Sequence, residues 1–243
     1  TTSGSFHLED QESEGVEVGI LYQNNIFSLN ASYYQLDTKN EIQYNQSVNT
    51  NLDPIERQGV NIDLEYLVNE NNKIITSVNF MEAEFTAGTL TPGTGGAESC
   101  SYSNTTYCSN SSTWQNLMGG GTSFSLAGKS VPLVAPLTYS INYENKFRSN
   151  IRFNLGIKYN DEKYVSNDPE NIEPKIPDYY QVDTSINSTN GPYKLTFGIN
   201  NIFDKKIYDF AISSTFHDDN HYGLSNVYPL PERNIFFDLA YTF

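Results

Sequence analysis

Residues 151–160 read IRFNLGIKYN. Ile151, Phe153, Leu155, Ile157 and Tyr159 fall on one parity; Arg152, Asn154, Gly156, Lys158 and Asn160 fall on the other. Successive side chains of a β-strand point to opposite faces, so this is a strand with one apolar side and one polar side. Working outward, the same alternation recurs over 16–22, 27–33, 60–66, 74–80, 137–143, 180–186, 193–199 and 234–243, which makes nine strands in all. In the last of them Ile235, Phe237, Leu239, Tyr241 and Phe243 share a face, opposite Asn234, Phe236, Asp238, Ala240 and Thr242. Such a face either packs on a core or lies against lipid, and the rest of the sequence has to choose.

Composition favours lipid. The 243 residues suffice for one large all-β domain or two smaller ones. Hydrophobic residues make up only 37%, low for a packed interior of this size, yet aromatics reach 14%, with 18 Tyr and 14 Phe against one Trp. A barrel wall fits this, because it needs one apolar residue in two and sets aromatic rings at the membrane interfaces. No apolar run approaches the roughly 20 residues of a membrane helix, which excludes a helical span but not a barrel. No secretory signal pattern is present, so an exported chain of this sequence is mature or a piece of something longer. A formal net charge of −15 argues against a nucleic-acid partner, since phosphate binding needs a basic surface. The acidic groups gather in clusters, Asp10, Glu12, Glu14 and Asp168, Glu170, Glu173, which read as solvated loops.

The connections are sorted by length. Short polar turns sit at 24–25, 69–72, 148–150 and 190–192, as in tight hairpins. Between them lie long links at about 39–55, 87–134, 164–178 and 205–231. Strict alternation places all short turns at one end of the strands and all long loops at the other, the asymmetry of outer-membrane barrels. The polar face carries both signs of charge on many strands: Glu17, Asp63, Glu65, Glu144, Arg152, Lys158, Asp183, Lys194 and Asp238. A soluble β-sandwich would turn this face to bulk water, but it has no reason to sort its loops by length. The expected fold is therefore all-β, a transmembrane antiparallel up-and-down β-barrel.

Few residues offer chemistry. Cys100 and Cys108, in CSYSNTTYC, sit in a polar, turn-rich stretch and read as a local disulfide formed in an oxidising compartment; two free thiols or half of a metal site are the alternatives. The three histidines lie in predicted loops, and His217, Asp218, Asp219 and His221 in FHDDNHYG could ligate a metal, though a solvated acidic loop explains them as well. No local motif of a catalytic Ser–His–acid set is present, so an enzyme is not expected. The glycine runs TPGTGG (91–96) and MGGGTS (118–123) lack the Gly-Lys-Ser/Thr ending of a phosphate loop.

Four stretches together resemble the C-terminal part of a TonB-dependent outer-membrane receptor: IERQGVNIDLEY (55–66), GKSVPLVAPLTYSINY (128–143), FGINNIFDKKIYDF (197–210) and YPLPERNIFFDLAYTF (228–243). In the first, Arg57 and Gly59 stand one residue closer than in the family's usual pattern. The resemblance implies that residues 1–243 are about nine C-terminal strands of a barrel of about 22 strands. The N-terminal plug domain and the other strands would then lie outside this chain. An open sheet of nine strands would leave two unpaired backbone edges in lipid, and bacterial single-chain barrels have even strand numbers. By parity the first and last strands both run toward the periplasm, which makes 1–15 the tail of an extracellular loop.

The resemblance also implies roles. The long loops, extracellular, would bind a scarce ligand, by default a ferric siderophore, with haem, cobalamin, sugars or other metals open; Tyr102, Tyr107, Trp114, Phe216 and Tyr222 are the contact candidates. Glu65, Arg152, Lys158, Asp183, Lys194 and Asp238 would face the plug from the lumen. Leu239, Tyr241 and Phe243 would be read by the barrel assembly machinery. The other expected partners are the TonB–ExbB–ExbD energy-transducing complex and outer-membrane lipid and lipopolysaccharide, with no cofactor. A passive porin, a barrel anchor for surface proteins, and a soluble glycan-binding sandwich are the competing readings.

Overall fold

The computed structural model describes residues 8–45, 48–92, 100–102, 105–107, 124–166, 168–213 and 225–242. The wall is one antiparallel sheet of nine strands, each bonded to the next in chain order. These are β1 (Glu12–Gln23), β2 (Phe27–Lys39), β5 (Ile55–Asn69), β6 (Asn72–Phe85), β11 (Leu137–Arg148), β12 (Ile151–Asn160), β13 (Tyr179–Asn190), β14 (Tyr193–Asn200) and β17 (Asn234–Tyr241). They contain eight of the nine segments expected from alternation in full, and the ninth as far as Tyr241. Shorter strands fill the long links: β3 (Ile42–Asn45) with β4 (Val48–Asn51); β7 (Thr89–Pro92), β8 (Cys100–Tyr102), β9 (Thr105–Tyr107) and β10 (Phe124–Ser125); and β15 (Tyr208–Ser213) with β16 (Ser225–Pro229). No helix among the described residues is long and apolar enough to cross a membrane, which leaves crossing by strands open.

The short turns form where asparagine replaces backbone as an acceptor. Asn24 Oδ1 accepts the amides of Ile26 and Phe27, both at 2.8 Å, and Asn69 Oδ1 accepts that of Asn71 at 2.9 Å. These are Asx-type turns. At the β13–β14 turn Gly191 has φ +57°, the left-handed region that costs glycine little.

Register carries the apolar parity across the whole sheet. One row runs Phe27, Tyr66, Ile74, Tyr143, Leu155, Thr184, Ile199, Ile235, each directly opposite the next. It begins at the turn end of β2 and finishes at the loop end of β17, so the strands are staggered, as barrel curvature requires. This face stays open: Val18 is 66% exposed, Phe197 47% and Phe237 67%, and no second sheet lies over it among the described residues. A sandwich interior is thereby ruled out for these side chains. Aromatic pairs mark both margins. Tyr139 and Tyr159 stack at 5.0 Å, Tyr159 faces Tyr180, and Lys205 sits 3.1 Å from the Tyr180 ring centroid at the loop end. Tyr22–Phe27 at 6.1 Å and Tyr193–Tyr241 at 5.2 Å mark the turn end. Amphipathic rings with a snorkelling lysine belong at membrane–water interfaces.

Among the described residues the core clusters sit on the opposite, inward face, near the loops. Ile55, Ala83 and Phe85 of the wall are covered by Leu52, Leu126 and Val131, and a second cluster joins Val165, Ile176 and Ala211. The long links are therefore not free loops throughout. Residues 129–136 run back along β6, with Val131 N donating to Ala83 O at 2.9 Å and Met81 N to Pro136 O at 3.0 Å. The reading of Asp168, Glu170 and Glu173 as solvated is wrong: they are 1%, 7% and 6% exposed, because the 161–178 link folds inward onto this layer.

The two faces make opposite predictions for one cation. Leu155→Arg, on the outward face near mid-strand, is expected to destabilise the bilayer-inserted barrel by about 2–4 kcal/mol, while Asn154→Arg, one residue away and inward, stays near zero. Urea unfolding of the receptor in lipid vesicles reads the difference.

Candidate lumen and loop-end rim

The inward face is a polar lattice. Between β5 and β6, Asn79 Nδ2 donates to Asn61, Ser77 Oγ donates to Asp63, and Lys73 pairs with Glu65 at 2.9 Å. The concave side holds a cavity of about 580 Å³ lined by polar groups including Glu17, Asn30, Asp63, Ser140 and Lys158. Groups of both signs, hydrogen-bonded along the wall, suit a wet interior; each wet ion pair contributes only about 0–1 kcal/mol.

The expected lumen candidates all lie on this inward parity but do not converge. Glu65 is held by Lys73, and Lys158 lines the cavity. Arg152 opposes Asn187, Lys194 opposes Ala240, and Asp238 opposes Thr196, all in the turn half of the wall. Asp183 is engaged locally, accepting Asn201 N and Gln181 Nε2, both at 2.8 Å. Of the ligand-facing candidates, Tyr102 and Tyr107 lie on β8 and β9, where Cys100 opposes Tyr107. Trp114, Phe216 and Tyr222 lie outside the described residues, as do Cys108 of the expected disulfide, Phe243, and His217, Asp218, Asp219 and His221. Leu239 and Tyr241 are 58% and 50% exposed on the outward face of the edge strand β17.

The loop end is where the conspicuous sequence stretches meet structural need. Gly59 has no room for a side chain, because a Cβ there would strike Phe80 O and come within 2.6 Å of the Tyr34 hydroxyl. Arg57 pairs with Glu41 at 2.6 Å and ties β5 to the preceding link. Asn201, 2% exposed, bonds Lys205 through both side-chain ends: Oδ1 accepts Lys205 N at 3.0 Å and Nδ2 donates to Lys205 O at 2.8 Å. Asp204 in the same turn accepts Arg233 N at 2.9 Å and pairs with the Arg233 guanidinium at 3.2 Å, joining the two C-terminal stretches.

A second layer of polar contacts holds the inward-folded links, and sequence reading missed it. Asp209 of β15 receives Lys163 Nζ at 2.9 Å, the Tyr179 hydroxyl at 3.1 Å and Asn160 Nδ2 at 3.0 Å. Burial pushes its carboxyl up, but these donors, Lys163 foremost, outweigh it and hold the group below the ordinary carboxylate value. Asp168 goes the other way. It accepts Ile172 N at 3.0 Å and Glu173 N at 3.1 Å, yet burial dominates and raises it to about 7. Asn171 exchanges bonds with Ser130, 2.7 Å and 2.9 Å, locking this turn to the 129–136 segment. The only advance signal was the turn-rich NDPEN at 167–171. No group of three or more His, Cys, Asp or Glu able to hold a metal occurs among the described residues.

A two-faced wall, aromatic margins and loops folded over the lumen define an outer-membrane β-barrel. The family model for the TonB dependent receptor-like β-barrel matches residues 1–202, and the chain belongs to that family. Among solved structures it is similar to the ferric yersiniabactin uptake receptor FyuA from Yersinia pestis, at 14% identity and TM-score 0.66, covering 96% of this chain and 30% of that one. It is also similar to the FrpB iron transporter from Neisseria meningitidis, at 14% identity and TM-score 0.63, with 99% and 33% covered. The copper transporter OprC is similar at 14% identity and TM-score 0.63, with 98% and 32% covered. At these identities the likeness is one of fold, and the chain spans about a third of the length of those structures. No curated protein matches the sequence.

The rim contacts are open to mutation and to pH. Asn201→Ala removes both bonds to Lys205 and is expected to cost about 2 kcal/mol locally, read as faster proteolysis of the 201–207 turn. For Asp168 the folded pKa of about 7 lies above the ordinary value of 3.8, so its contribution is full below the lower figure and is lost as pH rises through the higher one. Amide exchange at Ile172 and Glu173 should therefore be slower at acid than at alkaline pH across that window, once corrected for intrinsic exchange rates, and Asp168→Asn should flatten the dependence. Asp209, lowered, acts oppositely: its contribution holds above the ordinary carboxylate value and fades only in stronger acid.

Proposed function

We propose that this chain is part of the barrel wall of an outer-membrane receptor that takes up a scarce ligand actively, driven by TonB and the ExbB–ExbD complex, with a ferric siderophore or another metal complex as cargo. The observation that carries the reading is the combination of a lipid-suited outward face with long links that fold inward over the lumen at one end only. A pore for free diffusion needs no such packed inner layer. Family membership supports it, and the similar structures are a ferric yersiniabactin receptor, an iron transporter and a copper transporter, which favours a metal-bearing cargo. No chemical step on the cargo is part of the proposal.

Strand direction and face extend the same reading. With nine antiparallel strands, β1 and β17 run in the same direction and cannot pair with each other antiparallel, so closure takes an odd number of further strands. Both edges would otherwise leave backbone groups unpaired in hydrocarbon. We assign those strands, and a plug inside them, to the same receptor beyond this chain. The loop end would be extracellular and the turn end periplasmic, with Leu239, Tyr241 and Phe243 presented to the barrel assembly machinery. Glu65, Arg152, Lys158, Asp183, Lys194 and Asp238 would face the plug, with Asp183 already engaged locally. Tyr102, Tyr107, Trp114, Phe216 and Tyr222 stay candidates for cargo contact, and Cys100–Cys108 for a loop disulfide; the His217, Asp218, Asp219, His221 set is the weakest candidate.

Uptake of labelled ferric siderophores by cells carrying the intact receptor, with and without TonB, tests this. Uptake that needs both is expected. Transport that persists without TonB, or steady conductance of the purified protein in planar bilayers, would sink the active-uptake reading and favour a passive pore.

A further inference from the structure

The β15–β16 hairpin lies between β14 and β17 in the chain, at their loop end, and repeats the order of the wall. The wall runs β12, β13, β14, β17; beyond it, residues 163–166 bond to β15 and β15 bonds to β16. One edge of β15 is thus held by the link after β12, with Ser166 N donating to Ala211 O at 2.8 Å, and the other edge by β16. The outer edge of β16 therefore faces the same way as the outer edge of β17. Among the described residues no strand pairs with either.

In an antiparallel ladder a residue turns its N–H and C=O to the same side, and successive residues alternate. Ala211 turns its carbonyl to Ser166, so Val227, directly opposite it, turns its amide and carbonyl outward, away from β15. Leu230 N donates to Ile207 O at 2.9 Å, so the alternation holds to the foot of the hairpin. Pro229, on the parity of Val227, loses no bond to β15 by lacking an N–H. On β17, Thr242 N donates to Pro192 O at 2.9 Å, which turns the amides of Tyr241, Leu239, Phe237 and Ile235 to the outer edge. The hairpin is also covered unevenly. Ala211, packed with Val165 and Ile176, is 1% exposed, whereas Val227, opposite it on the same face, is 50% exposed.

A strand that closes the barrel against β17 is antiparallel to it. It runs from the turn end to the loop end, so its chain emerges beside the foot of β16. We propose that this emerging link of the receptor stays extended and adds itself antiparallel to the outer edge of β16, with an apolar side chain over Val227. The partner is a segment of the same receptor beyond this chain, and the seam between the two ends of the barrel continues past the membrane as strand pairing. A plug inside the wall could cover Val227 but would leave the edge amides unpaired. The inference rests on the closed-barrel reading and adds an interface that closure does not require, because a strand edge in water can stay hydrated.

Residue-resolved amide hydrogen exchange of the intact receptor in detergent tests the pairing. Exchange at Val227 is expected to be slowed about a hundredfold or more relative to an unpaired amide, as at Asn226, which faces β15. Leu239 reports on the closing strand alone. Slow exchange at Leu239 with fast exchange at Val227 overturns the proposal and leaves the barrel reading standing; fast exchange at Leu239 overturns both. Photo-crosslinking from p-benzoylphenylalanine in place of Tyr228, an exposed ring of similar shape, then identifies the partner by mass spectrometry of the joined peptides. Capture of the link that follows the closing strand is expected. Capture of the plug or of a second copy, or of no peptide, overturns the proposal.

Discussion

Every backbone amide and carbonyl of a strand in hydrocarbon must find its partner in a neighbouring strand, because no water is there to substitute. The rest of this structure depends on that constraint. It makes the nine-stranded ladder continuous and keeps its connections within the wall short at one end. It also makes strand alternation the only way to meet two solvents. The outward row from Phe27 to Ile235 and the inward lattice around Asn61 and Asp63 are the two halves of one pattern, and a slip of one residue in any strand would exchange them.

The wall has little conventional core. Fully buried apolar side chains occur where the links fold inward, around Ile55, Phe85 and Leu126 and around Val165, Ile176 and Ala211. Elsewhere the lipid takes the place of a core on one side and water takes it on the other. That explains how a chain with 37% hydrophobic residues holds so extended a sheet. The rim is also where ionisable groups are taken out of water, and two aspartates there respond oppositely. Asp209 is met by a lysine and two neutral donors, whereas Asp168 has backbone amides and a buried setting. A rim held by such contacts is a different mechanical element from the wall: its links are fastened by a few polar bonds each, and the strands by continuous ladders.

The stretches that suggested the family from sequence turn out to be fasteners of this rim. Gly59 lets the Tyr34 ring approach the wall, Asn201 closes the turn after β14, and Asp204 with Arg233 joins that turn to the start of β17. None of them was singled out as a site residue: Asp204 acts through Arg233, 29 residues away, Gly59 through the absence of a side chain, and Asn201 through a turn contact with Lys205 that matters because it is buried. The residues chosen for their charge, by contrast, scatter along the lumen. Charge in an aqueous wall is expected everywhere, and a sequence gives no sign of which groups share a level.

The strands, their inward and outward sides, the turn end and the loop end were all legible in the sequence, and the nine segments reappear with the expected faces. The reason is local: alternation of side chains is a property of a single strand, and Asn- or Gly-bearing turns act through their own backbone. Only the tertiary structure decided that Asp168 is buried, that residues 129–136 return along β6, and that Glu14, Asp37, Glu56 and Glu84 form one row. Those facts arise from register and from chain folding back over distant neighbours, and no periodicity within a strand encodes them.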